Sequence, residues 1–237
     1  MKPTISVTIP ALNEEKNIQF TVENVISAIT NKFSDYELLI FDDCSTDNTG
    51  IITDELSKKN EKIKVIHNPK TMGFGYNYRK GVELAQYDYI SMIPGDNEIS
   101  SDSINEMFSL VAKADIVIPY TVNYWIRPLT RQIISRLFTV FMNFLFGLNL
   151  KYYNGPVIHK KEIIKSIPLT TDSFAFQAEA LIKSIKSGHS FVQVGMYLQE
   201  REYGKSKAFK LKNILGVIRT VLRLLWKIYV QENLIRS

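Results

Sequence analysis

The sequence predicts an α/β protein built on a mainly parallel sheet with helices on both faces. In the first half of the chain, short apolar runs alternate with helical patterns, which is typical of this class. Hydrophobic residues make up 45% of the 237 positions and charged residues 22%, enough to form one large core. Polar or acidic clusters also follow successive apolar runs, where parallel sheets place their ligand sites.

The predicted elements follow the chain in alternating order. Five apolar runs predict strands at residues 5–9, 37–41, 64–67, 89–93 and 116–119. Helical patterns predict helices at residues 15–31, 47–59, 75–86, 102–112 and 173–186, and an apolar segment predicts one at 133–150. Residues 137–150 carry no charge, but they are fewer than the roughly 20 residues that a bilayer-spanning helix needs. We therefore expect no spanning segment.

The composition excludes several classes of protein. The single cysteine, Cys44, forms no internal disulfide and rules out a cysteine-rich zinc site. Met1 is not followed by a charged segment and a long apolar segment, so no signal peptide is expected. We expect the chain to stay in the cytoplasm.

The basic character of the chain belongs to its last part. Residues 201–237 hold nine Lys/Arg and two Asp/Glu, whereas the rest of the chain is nearly balanced. Residues 205–230 read as an amphipathic helix with a basic stripe of Lys205, Lys212, Arg219, Arg223 and Lys227. Such a helix can lie at a membrane surface or pack on its own domain, and its many large apolar residues favour the membrane. We predict a domain at 1–207 and a membrane-interfacial tail at 208–237.

Three polar clusters follow predicted strands and should converge at one edge of the sheet. They are PALNEE at 10–15, DDCSTD at 42–47 and PGDNE at 94–98. Each could by itself be local turn or cap chemistry. Asp96 and Glu98, however, offer oxygen ligands to a hard cation such as Mg²⁺ or Mn²⁺. Asp42 and Asp43 can accept hydrogen bonds from a base or a ribose, so together the clusters predict a nucleoside-diphosphate site.

Other phosphate motifs fit poorly. The chain has no GxxxxGK[ST] motif, and the segment from Gly73 lacks the third glycine of GxGxxG. Gly73 instead permits a close approach or caps the following helix, which carries Lys80. We interpret His67, His159 and His189 as structural, because their spacing is not that of metal ligands.

These motifs, in this order, resemble the family 2 glycosyltransferases of GT-A fold. The resemblance covers about residues 4–207 and rests on SVTIPALNEE at 6–15, DDCSTDNT at 42–49, residues 68–81, DNE at 96–98 and REYGKSK at 201–207. The R-x-x-G-x-S-K pattern of the last motif resembles the dolichyl-phosphate mannose synthase-like, or polyprenyl-phosphate, branch. It implies a GT-A domain followed by a C-terminal amphipathic helix.

The resemblance implies roles for the residues of the clusters. Pro10, Asn13, Glu15 and Asp42 would line the nucleotide pocket, and Asp96 with Glu98 would stand at the D-x-D metal position. Asp43, Gly73 and Lys80 complete our nucleotide-binding set. The chain departs from the family pattern in two places, since Glu98 replaces the second Asp and Ser100 stands where relatives often carry Gln.

The implied reaction is an inverting, metal-dependent transfer of a sugar from a UDP- or GDP-sugar to a polyprenyl or dolichyl phosphate. A lipid phosphate is already ionised near neutral pH, so it needs cations rather than a base. The resemblance places Arg127, Arg131, Arg201 and Lys205 near that phosphate, and we add Ser206. Arg127 and Arg131 could instead be solvated at a helix start.

The role of Glu179 stays open, and with it the class of acceptor. Glu179 could be a base for a hydroxyl acceptor, could orient the acceptor-site arginines, or could be a surface residue. A glycan or protein hydroxyl is therefore the second candidate acceptor, with Glu179 as its base. Across these readings our catalytic candidates are Asp96, Glu98, Glu179 and Arg201. A third hypothesis for the chain is a non-catalytic nucleotide-sugar-binding protein. We expect peripheral contact with the cytoplasmic face of a membrane and no nucleic-acid partner, because the tail lacks interleaved aromatic residues.

Overall fold

The computed structural model describes residues 2–199 and 211–231. Its strands are β1 Thr4–Ala11, β2 Asp35–Asp42, β3 Ile63–His67, β4 Tyr89–Met92, β5 Ile116–Thr121, β6 Ile158–Lys160 and β7 Phe191–Met196. Its helices are α1 Ile18–Ile29, α2 Thr49–Lys59, α3 Phe74–Leu84, α4 Ser101–Ser109, α5 Leu129–Phe146, α6 Lys161–Ser166, α7 Phe176–Lys186 and α8 Leu211–Leu225. A 3₁₀ turn, Tyr124–Ile126, precedes α5, and a π-helical segment, Trp226–Gln231, continues α8.

The seven strands form one sheet in the order β3-β2-β1-β4-β6-β5-β7. The first four strands are parallel, and so are β5 and β7, whereas β6 is antiparallel to both of its neighbours. The five predicted strands and the mainly parallel sheet are confirmed. The sequence did not predict β6 or β7, because β6 has only three residues and β7 begins at the exposed Phe191.

The two faces of β1 show why the sheet can carry helices on both sides. Ile5, Val7 and Ile9 are fully buried on one face, in the same core cluster as residues of α1 and α4. The opposite face holds Thr8, against which α3 packs. A Cβ at Gly81 of α3 would lie 2.2 Å from the Thr8 Oγ1, so only glycine allows this close packing of helix on strand.

A second core cluster lies under the last helices. It joins β5 to α5, α7 and α8 through Ile116, Met142, Leu181, Val221 and Leu224. The predicted bounds of α5 were wrong, since the helix begins at Leu129 and ends at Phe146. Pro128 precedes its first turn, and Gly147 ends it in the left-handed conformation at φ 58°, a common helix stop.

The predicted C-terminal helix is confirmed for the part of the tail that the structure describes. One face of α8 packs on the domain, where Val221 and Leu224 are buried. Tyr229, in the π-helical segment, donates a hydrogen bond of 2.8 Å to the carbonyl oxygen of Leu145 and stacks on Phe146 of α5. The inner face of the helix therefore packs on the rest of the domain.

Candidate active site

The loops that follow β1 and β2 are joined by hydrogen bonds from each to the other. The backbone N–H of Asn13 donates to Ser45 Oγ at 3.0 Å, and the Thr46 N–H donates to Asn13 Oδ1 at 2.8 Å. The Asn48 N–H donates to Glu15 Oε2 at 3.0 Å, just before α2 begins. Asn13 and Glu15 therefore hold the two loops together, and a small pocket opens between them.

Asp42 is a buried carboxylate at the end of β2. Its Oδ1 accepts from the Ser45 N–H at 3.0 Å, and its Oδ2 lies 2.9 Å from Nδ1 of His67. Burial alone would raise the pKa of Asp42, but the hydrogen bonds from Ser45 and His67 hold it below its usual value. Asp42 is therefore ionised at neutral pH. A carboxylate has about four acceptor positions, so the hydrogen bonds from Ser45 and His67 leave Asp42 capacity for a further donor.

Asp43 has a different role, since it fixes the loop that leads into α3. Its Oδ1 accepts from Asn68 Nδ2 and from the Met72 N–H, each at 2.8 Å, and its Oδ2 accepts from the Gly73 N–H at 2.9 Å. Gly73 is the N-cap of α3 and has φ 90°, a value that favours glycine. The predicted capping role of Gly73 is confirmed.

Asp96 and Glu98 follow β4 in a tight turn. Asn97, between them, has a positive φ of 51°, and its N–H donates to Thr21 Oγ1 of α1 at 3.1 Å. The Glu98 N–H donates to Asp96 Oδ1 at 3.3 Å, and the Glu98 carbonyl accepts from the Gln199 N–H at 2.7 Å. These contacts fix the backbone of the turn that carries both residues beyond β4.

Arg127 lies beside this carboxylate pair. Its Nη2 is 4.0 Å from Glu98 Oε2, and its Nη1 donates to the Tyr152 hydroxyl at 3.1 Å. Only 14% of its side chain is exposed, so the alternative of a solvated arginine is wrong. Its buried Nε finds no hydrogen-bond partner among the residues that the structure describes. The site thus places a nearly buried cation with an unused N–H within 4.0 Å of Glu98.

The family model for glycosyl transferase family 2 matches residues 6–163. The chain belongs to this family. The match spans β1 to α6 and includes the three loops described above, and the predicted family and enzyme class are thereby confirmed.

Two curated relatives align with most of the glycosyltransferase. Polyprenol monophosphomannose synthase of Mycolicibacterium smegmatis is 27% identical over 216 residues, which are 85% of this chain and 79% of the relative. Undecaprenyl-phosphate mannosyltransferase of Micrococcus luteus is 25% identical over 214 residues, which are 84% of this chain and 85% of the relative. Both relatives carry the name of a polyprenyl phosphate.

Solved structures share the fold of the glycosyltransferase. Glucosyl-3-phosphoglycerate synthase of Mycobacterium tuberculosis, in complex with Mn²⁺, UDP-glucose and phosphoglyceric acid, superposes with a TM-score of 0.68. The two sequences are 17% identical, and the superposition covers 94% of this chain and 80% of that one. The same protein with Mg²⁺ and UDP gives a TM-score of 0.66 at 18% identity, covering 93% and 79% of the two chains. The predicted GT-A fold is thereby confirmed.

Glu179 is buried in the first turn of α7, so the alternative of a surface residue is wrong. Its Oε2 accepts from the N–H groups of Thr170 and Thr171 at 3.0 Å each, and its Oε1 accepts from Thr170 Oγ1 and from Lys183. Burial favours a raised pKa, but the bonds from Lys183 and Thr170 keep the pKa of Glu179 below its usual value. Four donors fill the acceptor positions of this carboxylate.

The other predicted residues lie in varied surroundings. The Pro10 carbonyl accepts from the Gly95 N–H at 3.0 Å, which joins the first loop to the third. Lys80 forms an ion pair of 2.9 Å with Glu83 on the outer side of α3. Arg131 is half-buried in the first turn of α5. The predicted acceptor residues Arg201, Lys205 and Ser206 lie outside the described residues.

Two packed helices present an apolar face to the outside. The exposed large side chains form a stripe along the 3₁₀ turn and α5, made up of Trp125, Leu129, Ile133, Leu137, Val140, Phe141 and Phe144. A second stripe runs along α8 and its π-helical continuation, made up of Leu215, Ile218, Leu222, Trp226 and Tyr229. We call these two stripes the apolar face. None of the described helices combines the length and apolar character needed to cross a bilayer.

Sequence reasoning missed two features of the site. Arg127 was expected at the acceptor phosphate, and its contact with Glu98 was not foreseen, because it depends on how the segment after β5 folds back. His67 was interpreted as structural, although it pairs in register with Asp42 on the neighbouring parallel strand. The alignment of β2 with β3 could have indicated this contact, since both strands were predicted.

Proposed function

We propose that this glycosyltransferase moves a sugar, with inversion, from a nucleotide-sugar to a polyprenyl phosphate at a membrane surface. One observation carries the proposal: a single segment, residues 124–146, places Arg127 beside Glu98 and continues directly into the apolar stripe of α5. A phosphate bound at Arg127 would therefore have an apolar surface next to it. The names of the two relatives support the same class of acceptor.

The donor would bind across the three loops. Asp42 is ionised and has acceptor capacity for the N–H groups of a base. Asn13 and Glu15 hold the neighbouring loop in place, and Asp43 fixes the turn before α3. In this proposal Asn13, Glu15 and Asp43 shape the pocket, whereas Asp42 contacts the nucleotide. UDP and GDP remain the two candidates.

Asp96 and Glu98 would hold Mg²⁺ or Mn²⁺. Two carboxylates are the hard oxygen ligands that these ions prefer, and such ions keep waters and bridge phosphates rather than fill a protein cage. No group of three or more His, Cys, Asp or Glu side chains suited to a metal occurs in residues 2–199 and 211–231, so substrate phosphates and water would have to supply the other ligands. When bound, the ion would neutralise charge that develops on the departing diphosphate.

The state of Glu179 supports the proposed acceptor class. A hydroxyl acceptor needs a base, but the four acceptor positions of Glu179 are occupied by protein donors. An ionised phosphate needs no base and would be attracted by Arg127, whose planar guanidinium has an unused N–H. This contrast favours the lipid phosphate over a glycan or protein hydroxyl.

The apolar face would lie against lipid. Exposed apolar patches of this extent are uncommon on proteins that stay in water. The basic residues Arg219 and Arg223 are exposed on α8 beside its apolar stripe, as expected for contact with anionic headgroups. We propose peripheral binding to the cytoplasmic face, with the C-terminal tail beyond residue 207 as part of the contact.

The test is transfer of labelled sugar from a panel of UDP- and GDP-sugars to a short-chain polyprenyl phosphate, with Mg²⁺ or Mn²⁺ and with EDTA as the control. We expect a labelled lipid product that EDTA abolishes. Nucleotide release without a labelled lipid would contradict the acceptor and leave the catalytic core intact. Absence of any donor turnover in the presence of acceptor would favour the non-catalytic alternative.

Two matched variants separate the acceptor classes. Arg127→Gln should lower lipid-phosphate transfer by tenfold or more, because it removes a charge-assisted contact. Glu179→Gln should reduce transfer only to the extent that it destabilises the Thr170–Thr171 backbone, and thermal unfolding will report that loss. A hydroxyl acceptor would reverse the order, with Glu179→Gln inactive in a fully folded protein.

A further inference from the structure

His67 is held between two carboxylates at the carboxyl end of β3. Its Nδ1 lies 2.9 Å from Asp42 Oδ2, and its Nε2 lies 3.1 Å from Asp54 Oδ1 of α2. β3 is the edge strand of the sheet, so β2 and α2 are the elements that face the ring. Asp42 and Asp54 are the charged groups that these two elements place against it.

The packing around this ring is close on the Asp42 side and open on the other. A Cβ at Gly50 of α2 would lie 3.0 Å from Asp42 Oδ2, so glycine lets α2 approach this oxygen closely. The Asp42 side chain is 9% exposed, whereas those of His67 and Asp54 are about half exposed. The imidazole therefore joins a buried carboxylate to one that faces water.

Asp42 needs a donor on its outer oxygen to keep one orientation. Its Oδ1 is fixed by the Ser45 N–H, and the described contact to Oδ2 comes from His67. A carboxylate held at both oxygens presents its remaining acceptor positions in a fixed direction, which reduces the ordering cost when a ligand binds. Loss of the His67 contact would leave Oδ2 beside an imidazole that no longer donates.

We propose that His67 is a positioning residue that holds Asp42 for the donor nucleotide and makes nucleotide affinity depend on pH. This inference rests on the proposed function, since it takes Asp42 as the contact to the base. His67 itself does not touch the nucleotide in this proposal. It acts through Asp42, and Asp54 widens the pH range in which it acts.

The direction of the pH effect follows from the hydrogen bonds. A protonated imidazole donates from both nitrogens, whereas a neutral one donates from only one. The neutral ring therefore divides its single N–H between Asp42 and Asp54, and Asp42 Oδ2 keeps its donor in only part of the molecules. The hydrogen bond to Asp42, with further help from Asp54, raises the pKa of His67 above 6.5 against the opposing effect of burial. Affinity should therefore be highest below that raised pKa and should fall as the pH rises through it.

The experiment measures binding of UDP and of GDP by calorimetry between pH 5.5 and 8.5. The proteins are the full chain, His67→Gln, Asp54→Asn and the control His189→Gln, which changes a histidine before β7, at the opposite edge of the sheet. Nuclear magnetic resonance of the unmodified chain gives the titration of His67. We expect the midpoint of the affinity change to coincide with that titration.

The variants should differ in defined ways. His67→Gln should bind the nucleoside diphosphate about tenfold more weakly at pH 6 than the unmodified chain, the usual loss for a hydrogen bond to a charged group. Its affinity should keep only the pH dependence that comes from ionisation of the nucleotide's own phosphate. Asp54→Asn should keep the affinity at pH 5.5 and move the midpoint to lower pH, because His67 loses one carboxylate. His189→Gln should behave as the unmodified chain.

The outcomes distinguish failure of the proposed function from failure of the role of His67. If the unmodified chain binds neither UDP nor GDP, the proposed function fails and this inference fails with it. If the unmodified chain binds but His67→Gln keeps the same affinity and pH profile, only the role of His67 is overturned. Should His67→Gln not fold, the midpoint in Asp54→Asn decides, and an unmoved midpoint overturns the role.

Discussion

Two regions of the molecule differ in what their groups contact. They are the loops beyond β1, β2 and β4, and the apolar face of α5 and α8. In the loops, backbone N–H groups are bonded by side chains from neighbouring segments, as Gly73 is by Asp43 and Thr46 is by Asn13. On the apolar face, Leu137 and Phe144 stand 64% and 84% exposed. The first region is ordered by the protein itself, whereas the second presents a surface suited to a partner outside the chain.

The largest effect should come from the carboxylate pair. We expect Asp96→Asn to lower sugar transfer by about a hundred- to a thousandfold, because it removes a charged ligand at the centre of the proposed metal site. The measurement is label transfer, together with Mn²⁺ binding followed by electron paramagnetic resonance.

Glu106→Gln is the control, since it changes an exposed carboxylate of α4. Equal transfer by Asp96→Asn and Glu106→Gln would break the comparison, because the loops would then carry no catalytic metal.

The second effect concerns how strongly the loops are ordered from within. Asp43→Asn would replace an acceptor oxygen by an NH₂ group that faces N–H donors of residues 68–73. We expect the free energy of unfolding to fall by about 2–4 kcal/mol, as when a buried charge partner is lost. Urea denaturation measures it.

Asp102→Asn, at an exposed position in the first turn of α4, should change the same quantity by less than about 1 kcal/mol. If Asp43→Asn were equally mild, the loops would not depend on this carboxylate for their order.

A third effect concerns β6, which lies between β4 and β5 in the sheet. His159 of β6 pairs with Ile90 on one side and Ile116 on the other, and burial lowers its pKa to about 3. An unfolded histidine binds a proton below about pH 6.5 while the folded one stays neutral, so stability is present above that pH and is lost as the pH falls. The expected loss between pH 7 and 5 is about 2 kcal/mol.

Denaturation of His159→Phe at pH 7 and at pH 5 tests whether His159 causes this loss of stability. The variant should lose less stability on acidification than the unmodified chain, and His189→Gln should lose as much. An unchanged pH slope in His159→Phe would place the acid sensitivity elsewhere.

The smallest effect should come from the apolar face. Phe144→Ser and Leu137→Ser should each weaken binding to vesicles of anionic phospholipid by about five- to tenfold, since each removes part of the apolar area that would enter the lipid. Cosedimentation measures it, and thermal unfolding should change little because both side chains are exposed.

Ile51→Ser is the matched control, because Ile51 of α2 is 61% exposed outside this face. Equal loss of binding in all three variants would mean that the apolar face does not specify the contact.

The two regions also differ in how far the sequence predicted them. The strands that lead to Asp42 and Asp96 were recognisable as apolar runs between helical patterns, so the convergence of their loops could be derived from the order of elements alone. The partner of Arg127 and the burial of Glu179 could not, because both depend on segments that fold back from distant parts of the chain. The inner and outer faces of α5 were equally unreadable, since apolar residues surround the helix.

The short strand β6 has a consequence for the order in which the protein can be completed. Its three residues pair with β4 on one side and with β5 on the other, and β4 and β5 are not neighbours in the sheet. During synthesis, β1 to β4 can assemble early, but β5 gains its neighbour only after Lys160 has left the ribosome. Until then β4 is an open edge, the kind of edge that recruits other strands. A chain released before residue 158 should therefore be prone to self-association.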